Sequence, residues 1–363
     1  MTQPLTLYIG TYTSQSKLGR RSEGVYRFSL DTRTGALTQQ GVTGGIANPT
    51  WLALHPSDRV LYAASEVREY GQRSGGAVVA YARDATTGEL TRINDALTLG
   101  AGPCHLSLDP TSRLLMASNY ASGSLTVIPV REDGSLEPAA QVIQHAGAGP
   151  VADRQEGPHA HSILPDPSGR YVLAADLGID KVMVYRIDLE GKRLEPADPP
   201  SADLAPGGGP RHIAFHPNGR WVFVTGELDS TLTVFSWDAE LGRLQRMQAI
   251  STLPEGWQGT NYPAEVAVAP LGRFVYMSNR GHDSIAIFAV DEATGKLTQV
   301  GHEPTQGAFP RHFALDPTGA FMLVANQDSD NVVVFRVDQA TGKLAPTGYA
   351  VEVPMPVCVR LAG

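Results

Sequence analysis

Hydrophobic residues in this chain recur as pairs of short apolar runs, each pair joined by a tight polar turn. The segment NPTWLALHPSDRVLYAASE from Asn48 is one example, in which two β-prone runs flank a Pro-Ser-Asp-Arg turn. This pattern is typical of a β-hairpin that begins at a proline. Six such units follow one another, with 47 to 55 residues between their prolines. The prolines are Pro49, Pro103, Pro158, Pro210, Pro263 and Pro310, and the unit at Pro158 carries a two-residue insertion.

A second motif lies between these units and predicts a further turn in each repeat. DEATGKL at Asp291 is representative: the aspartate supplies a side-chain acceptor for the turn, and the glycine adopts a positive φ. Because this turn joins two more apolar runs, each repeat predicts four strands. The motif occurs seven times, beginning at Asp31, Asp84, Arg131, Asp188, Asp238, Asp291 and Asp338.

The two ends of the chain supply the halves of one more unit. The C-terminal PMPVCVRLAG matches the first strand of the repeat, and the N-terminal LTLYIGTYT matches the second. Repeats of about 40–50 residues with four strands are typical of β-propellers. We therefore predict an all-β fold in which residues 1–363 form one seven-bladed propeller, with four antiparallel strands per blade. A C-terminal strand that joins the N-terminal blade would close the ring, which disfavours an open solenoid.

Composition and charge argue against several classes of protein, namely nucleic-acid-binding, secreted and membrane-spanning proteins. The formal net charge is −8 and there is no basic tract, so nucleic acid is not an expected partner. The N-terminus lacks the pattern of a signal peptide, and no apolar run approaches the roughly 18 residues of a membrane helix, so we predict a cytoplasmic location without membrane contact. Cys104 and Cys358 are predicted to be free thiols, because the fold places them two blades apart.

Strand order predicts which loops share a face of the propeller. The start of each first strand and the end of each second strand lie at one rim, together with long, varied loops at residues 11–24 and 145–162. Variable loops on a rigid scaffold are where sites usually lie. The strand starts supply His159, His161, Arg211, His212, Glu265, Arg311 and His312, and the second-strand ends supply Glu66, Asn119, Asp176, Glu227, Asn279, Arg280 and Asn326.

Several of these residues also have a purely structural interpretation. Three histidines occupy the same repeat position, two after the proline, which favours a hydrogen bond to the neighbouring blade. They are His105, His212 and His312. An arginine at the mouth of a propeller is costly unless it meets an anion. Arg211 could therefore form a salt bridge with Glu227 or Asp176, or bind an anionic ligand.

The sequence contains no motif for a metal or a cofactor. There is no HExxH, no Cys/His cluster and no Asp-rich calcium loop. GAGP and GGGP precede a strand rather than a helix, so they do not predict phosphate loops, and GxSxG is absent. We therefore expect neither a metal nor another cofactor.

Three segments, with the opening LYIGTYT and the repeated D-x-x-TG-x-L, carry a resemblance to a known family. They are GPHAHS from Gly157, GGGPRHIAFHPNGRWVFVTGELDSTL from Gly207 and FPRHFALDPTGAFMLVANQ from Phe309. Over essentially the whole chain, the sequence resembles the seven-bladed lactonase family, which includes propeller-type 6-phosphogluconolactonases and fungal 3-carboxy-cis,cis-muconate cyclases. The resemblance implies a hydrolase that opens the δ-lactone of 6-phosphogluconate in the pentose phosphate pathway, with a small anionic sugar lactone as its partner.

The resemblance also implies a cluster of His, Arg and Glu side chains on one face. Its motifs leave two pairs of alternatives open, His159 or His161 and Arg280 or Arg311. The predicted catalytic residues are His161, His159, Arg211 and Glu227, and the predicted substrate-binding residues are Arg311, Arg280, His212 and His312.

The chemistry of these side chains suits the hydrolysis of an anionic lactone. We hypothesise that Glu227 or His161 activates water while Arg211 and Arg311 hold the anionic substrate. Two alternatives remain: a muconate-type cycloisomerase, which would also use arginines to bind carboxylates, and a non-catalytic propeller that binds a ligand or partner.

Overall fold

The structure, a computed structural model, describes residues 4–362 and consists almost entirely of β-strands and tight turns. The strands of the first half are β1 (Leu5–Thr11), β2 (Val25–Leu30), β3 (Leu37–Thr43), β4 (Pro49–Leu54), β5 (Val60–Ser65), β6 (Glu69–Tyr70), β7 (Arg73–Ser74), β8 (Ala77–Arg83), β9 (Leu90–Leu97), β10 (Pro103–Leu108), β11 (Leu114–Asn119), β12 (Ser124–Pro129), β13 (Gln141–Gln144), β14 (Ala160–Pro165) and β15 (Tyr171–Asp176). Those of the second half are β16 (Lys181–Asp188), β17 (Arg193–Asp203), β18 (Pro210–Phe215), β19 (Trp221–Gly226), β20 (Thr231–Asp238), β21 (Arg243–Ser251), β22 (Tyr262–Val268), β23 (Phe274–Arg280), β24 (Ser284–Val290), β25 (Leu297–Pro304), β26 (Pro310–Leu315), β27 (Phe321–Asn326), β28 (Asn331–Val337), β29 (Leu344–Glu352) and β30 (Pro356–Ala362). Two short 3-10 helices span Leu177–Ile179 and Gln327–Ser329. Within residues 4–362 no helix has the length and apolar character needed to cross a bilayer.

Seven four-stranded antiparallel sheets form the blades of a propeller, as the repeat predicted. Blade 1 has the order β30-β1-β2-β3, blade 2 has β4-β5-β8-β9, and blades 3 to 7 each take four consecutive strands from β10 to β29. The short strands β6 and β7 form a separate hairpin on blade 2. Each innermost strand contacts the innermost strands of both neighbouring blades, and β30 lies between β26 and β4. The ring is therefore closed.

Blade 1 is built from both ends of the chain. In the pairing of β1 with β30, Thr6 lies opposite Ala362 and Ile9 lies opposite Val359. This pairing confirms the predicted blade that both ends of the chain share. It covers the inner edge of β1, which would otherwise be unpaired. Cys104 in β10 and Cys358 in β30 are both buried and free, as their separation by two blades predicted.

The Asp-Gly turns join two strands of one blade and also pack against the neighbouring blade. In the turn at Asp291, Oδ1 accepts hydrogen bonds from the backbone N–H groups of Ala293 and Thr294 at 3.0 and 2.8 Å. Gly295 has φ +72°, and a Cβ there would lie 2.5 Å from the ring of Trp221 in the preceding blade. Glycine is therefore required both by the backbone conformation and by the close approach of an aromatic ring.

The innermost strands place two layers of side chains around the propeller axis. The upper layer consists of Thr50, Cys104, His161, Arg211, Ala264, Arg311 and Val357, one residue from each blade. The next residue in each strand forms the lower layer, which consists of Trp51, His105, Ser162, His212, Glu265, His312 and Cys358. Alternate residues of a regular strand point to opposite faces. Here the register shifts at the start of the innermost strand in blades 2 to 7, and such bulges re-aim consecutive side chains.

The insertion in blade 4 decides which of its histidines joins the upper layer. Ala160, rather than Pro158, pairs with the last residue of the second strand, Asp176, just as Pro103 pairs with Asn119 in blade 3. His161 therefore takes the position that Arg211 and Arg311 hold in their blades. The assignment of Pro158 to the repeat proline was wrong by two residues, because the insertion lies after it.

Candidate active site

A pocket of about 240 Å³ opens at the rim where the innermost strands begin. Its walls come from the upper layer, from the ends of the second strands and from the loops at residues 11–24 and 145–162, as strand order predicted. The lining residues are Tyr12, Glu66, Cys104, Tyr120, Arg154, His161, Glu227, Arg280 and Arg311. Cationic and aromatic side chains dominate this set, so the pocket suits an anionic, polar ligand.

Glu227 binds arginines from three different parts of the chain. Its Oε1 accepts a hydrogen bond from Arg154 Nη2 at 2.7 Å, and its Oε2 accepts one from Arg280 Nη2 at 2.7 Å. Arg211 Nε lies 2.9 Å from the same Oε2 but lacks hydrogen-bond geometry. Burial alone would raise the pKa of Glu227, but the charges of Arg280 and Arg211 outweigh burial and hold the pKa well below its usual value. Glu227 is therefore an ionised, weakly basic anchor for cations.

Arg211 lies beneath the pocket rather than on its wall. Its side chain is 2% exposed, and Nε and Nη1 have no hydrogen-bond partner among the described residues. Burial and the charges of Arg280 and Arg311 lower the pKa of Arg211 to about 9, so this guanidinium stays charged at neutral pH. Arg211 and Glu227 are 16 positions apart in the sequence, and the hairpin of β18 and β19 brings them together as strand order predicted.

A second hydrogen-bonded group occupies the opposite wall. Arg311 Nη2 donates to the Tyr12 hydroxyl at 3.2 Å, and that hydroxyl donates to Glu66 Oε1 at 3.0 Å. Thr50 Oγ1 donates to the other Glu66 oxygen at 2.5 Å. No carboxylate of residues 4–362 forms an ion pair with Arg311. Arg311 is therefore a half-buried cation that is free to meet a substrate anion.

The charges around the pocket do not balance. Three arginines line it, Arg154, Arg280 and Arg311, and Arg211 lies directly beneath it, against two glutamates, Glu66 and Glu227. The excess of two positive charges lies in a partly enclosed space, where electrostatic attraction is stronger than in bulk water. An anion with two negative charges would neutralise this excess.

His161 lines the pocket as a neutral imidazole. Burial, and next the charge of Arg211, hold the pKa of His161 well below its usual value. Its Nδ1 lies 3.9 Å from Cys104 Sγ, and within residues 4–362 no group hydrogen-bonds to its Nε2. The ring packs edge-on against Tyr120, with centroids 5.4 Å apart. A neutral imidazole with an unoccupied nitrogen in a pocket can accept a proton from water.

The other predicted histidines lie outside this pocket. His159 uses both ring nitrogens: Nδ1 donates to the Tyr120 carbonyl oxygen at 3.0 Å, and Nε2 lies 3.2 Å from Glu156 Oε1. His212 and His312 belong to the lower layer. His212 Nδ1 bonds to Glu265 in blade 6 at 2.9 Å, and His312 Nδ1 accepts from the Val359 N–H in blade 1 at 3.2 Å. Both make the contact to a neighbouring blade that their repeat position favoured.

Four pocket residues have no counterpart in the sequence-based assignments: Arg154, Tyr12, Tyr120 and Cys104. Tyr12 and Tyr120 each follow the residue that pairs with the proline of the innermost strand. Glu227 and Arg280 hold the same repeat position, so the repeat could have identified both tyrosines. Arg154 lies in the loop that precedes β14; the length of this loop indicated a site, but its residues follow no repeat. No group of three or more His, Cys, Asp or Glu side chains that could hold a metal ion occurs within residues 4–362.

Comparisons with known proteins agree with this architecture. Residues 6–361 match the family model described as Lactonase, 7-bladed beta-propeller. The chain is 39% identical over 353 residues to a 6-phosphogluconolactonase of Bacillus subtilis, covering 97% of each chain. It is also 35% identical over 256 residues to a 6-phosphogluconolactonase of Pectobacterium carotovorum, covering 70% of each. The solved structure of the periplasmic gluconolactonase PpgL of Pseudomonas aeruginosa superposes with a TM-score of 0.92 at 37% identity, covering 99% of each chain. The chain therefore belongs to the family of seven-bladed β-propeller lactonases.

Proposed function

We propose that this protein hydrolyses the ester bond of a phosphorylated sugar-acid lactone, with 6-phosphogluconolactone as its substrate and 6-phosphogluconate as its product. The observation that carries the proposal is the pocket itself, in which an excess of two positive charges surrounds a neutral histidine. A phosphomonoester is close to doubly charged at neutral pH and matches that excess. The names of the lactonase relatives support the same reaction.

The reaction needs a base, an anion site and a means of stabilising the oxyanion. Water attacks the lactone carbonyl carbon while His161 Nε2 takes one of its protons. The tetrahedral intermediate carries a negative charge, which the guanidinium groups of Arg280 and Arg154 stabilise. The bond from the carbonyl carbon to the ring oxygen then breaks, and the ring oxygen receives the proton that His161 took from water. The new carboxylic acid gives its proton to the neutral His161, so that one proton is released per turnover.

Glu227 has a positioning role in this scheme. Its carboxylate is ionised and engaged by arginines at 2.7 Å on both oxygens, so it is a poor proton acceptor. It holds Arg154 and Arg280 at the pocket wall at fixed positions, and preorganised cations stabilise a developing negative charge without reorganisation. Of the two bases in the sequence-based hypothesis, we therefore propose His161.

Arg311 is proposed to bind the phosphate. Replacing it by methionine should lower kcat/KM for 6-phosphogluconolactone about 100-fold, because charge-assisted hydrogen bonds contribute about 1.5–3 kcal/mol each. Hydrolysis of the unphosphorylated glucono-δ-lactone should change less than about threefold, since that substrate offers Arg311 no dianion. Initial rates, corrected for spontaneous opening of the lactone, measure both effects.

Arg246→Met is a matched control, because Arg246 is exposed on the outermost strand of blade 5. Its rates should equal those of the wild type. Equal losses on both substrates in Arg311→Met would contradict the phosphate assignment. A wild-type protein that does not accelerate the opening of 6-phosphogluconolactone would contradict the proposed function itself.

The pH dependence should reflect the neutral state of His161. A base must be unprotonated to act, and burial together with Arg211 lowers the pKa of His161, so it remains active below the usual histidine range. We expect kcat/KM to vary by less than about twofold from about pH 7.5 down to about pH 6. A loss of kcat/KM that follows an ordinary histidine titration near pH 6.5 would contradict this expectation.

The predicted cytoplasmic location stays a prediction. One structural relative is described as periplasmic.

A further inference from the structure

A chain of ionisable side chains continues below the pocket along the propeller axis. The rings of His161 and His212 lie edge to face with their centroids 5.1 Å apart. His212 Nδ1 donates to Glu265 Oε2 at 2.9 Å, and His312 Nε2 lies 3.3 Å from the same oxygen. These side chains link the upper layer to the lower layer.

A cavity of about 10 Å³ lies between the two layers. This is about the volume that one water molecule needs. The side chains of His161, Arg211 and His212 line it. Arg211 Nη1 and His212 Nε2 are both buried and have no hydrogen-bond partner among the described residues. Buried polar atoms that lack a partner are costly, so a bridging water is the expected occupant.

The lower layer faces a second opening at the opposite rim. A pocket of about 430 Å³ there reaches from His212 and Glu265 to the tight turns that contain Pro270 and Pro317. Its walls are largely aliphatic, and its other charged side chains are Arg360 and Asp316. The axis therefore connects the candidate active site with solvent on the other face of the propeller.

We infer that His212 and Glu265 conduct the proton released by lactone hydrolysis from His161 to the opposite mouth. This inference rests on the proposed function. During turnover the product fills the upper pocket and separates His161 from the solvent at that rim. The path through the lower layer instead ends at a carboxylate.

Each step along this path moves one proton from a donor to an acceptor. Protonated His161 gives its proton to the cavity water, which passes one to His212 Nε2. His212 gives its Nδ1 proton to Glu265 Oε2, and Glu265 releases it to solvent in the lower mouth. His212 also lines that mouth, so a movement of its ring that exposes Nε2 to the same solvent exchanges the proton and restores the starting tautomer.

The surroundings of Glu265 suit a proton acceptor at neutral pH. Burial raises the pKa of Glu265 to about 7, and the charges of Arg360 and Arg211 partly oppose that rise. The histidines that face it, His212 and His312, have pKa values well below the usual value, chiefly because of burial. His105 also lines the mouth, and burial lowers its pKa as well. Among Glu265 and these three histidines, Glu265 is therefore the group whose charge changes near pH 7.

The variant Glu265→Gln tests the path, because glutamine keeps the shape of the side chain and cannot carry the proton. At pH 7 and low buffer concentration, kcat should fall about tenfold while kcat/KM changes less than about twofold, since proton release follows the chemical step. The wild-type kcat should decline as pH falls through about 7, because Glu265 must be ionised to accept a proton. This decline should vanish in the variant, and added imidazole should restore its kcat.

Glu303→Gln serves as the control, since Glu303 lies on the outermost strand β25 and should leave kcat unchanged. If Glu265→Gln does not fold, infrared titration of the wild type tests the same group without turnover, through a protonated carboxyl band that is expected to be lost near pH 7. A Glu265→Gln enzyme with the wild-type kcat and pH profile would overturn the inference. A wild type without lactonase activity would overturn the proposed function instead.

Discussion

Glu227→Gln should lower kcat/KM for 6-phosphogluconolactone by at least about 10³-fold, the largest effect that we expect from a single substitution. Loss of one preorganised donor to an oxyanion typically costs about 10²–10³-fold. Glu227 positions two such donors, Arg154 and Arg280, through hydrogen bonds of 2.7 Å. Glutamine is neutral and cannot hold both cations against their mutual repulsion, so both donors should lose their positions together.

The same substitution should destabilise the fold. Removing one partner of a buried ion pair costs about 3–5 kcal/mol, because the remaining charge stays buried without compensation. Here the Glu227 side chain is only 5% exposed, and the side chains of Arg211 and Arg280 are 2% and 6% exposed. The melting temperature of Glu227→Gln should fall, and inorganic phosphate should raise it more than it raises that of the wild type, because an added anion replaces the lost charge.

A surface pair provides the matched control for Glu227. Glu240 binds Arg170 at 2.9 Å, with 84% and 47% of the two side chains exposed. Ion pairs between exposed side chains are screened by solvent and contribute little to stability, so Glu240→Gln should leave both activity and melting temperature almost unchanged. A folded Glu227→Gln enzyme with near wild-type kcat/KM would show that the arginines keep their positions without Glu227.

His161→Ala should lower kcat about 10³-fold and change KM little, which is the second largest effect expected. A general base contributes about 10²–10⁴-fold, and within the pocket His161 is the neutral imidazole with an unoccupied nitrogen. Free imidazole should restore part of the rate, because the alanine leaves space for it. The measurement is kcat with and without imidazole, corrected for hydrolysis in the absence of enzyme.

His159→Ala separates the role of a base from that of loop packing. His159 is two residues away and carries the same ring, but both of its nitrogens are occupied by Tyr120 and Glu156. Its removal should change kcat less than about threefold. An equal loss in the two variants, or a loss confined to His159→Ala, would contradict the assignment of the base.

The two pairs of alternatives in the sequence have different outcomes. His161 and His159 separate clearly, because a bulge and a two-residue insertion place His161 in the upper layer and leave His159 against Tyr120. Arg280 and Arg311 both line the pocket, but only Arg280 is neutralised by Glu227. A register shift of two residues decides whether His159 or His161 enters the upper layer, and no local pattern in the sequence predicts that shift.

The repeat in the sequence was enough to predict the ring: its blade number, its closure by both ends of the chain and the rim at which the candidate site lies. These features follow from periodic patterns of apolar residues and turns. The patterns repeat because every blade has four strands and packs against its two neighbours in the same way. The same strand order was enough to place Arg211 beside Glu227.

The balance of charge around the pocket, on which the proposed roles of its residues depend, could not be predicted from the sequence. Arg154 belongs to a loop without a repeat, so its position in the pocket depends on how that loop folds back. Glu227 changes from a candidate base to an anchor because three arginines converge on it from separate segments. Proton affinity depends on burial and on neighbouring charge, which are properties of the folded molecule.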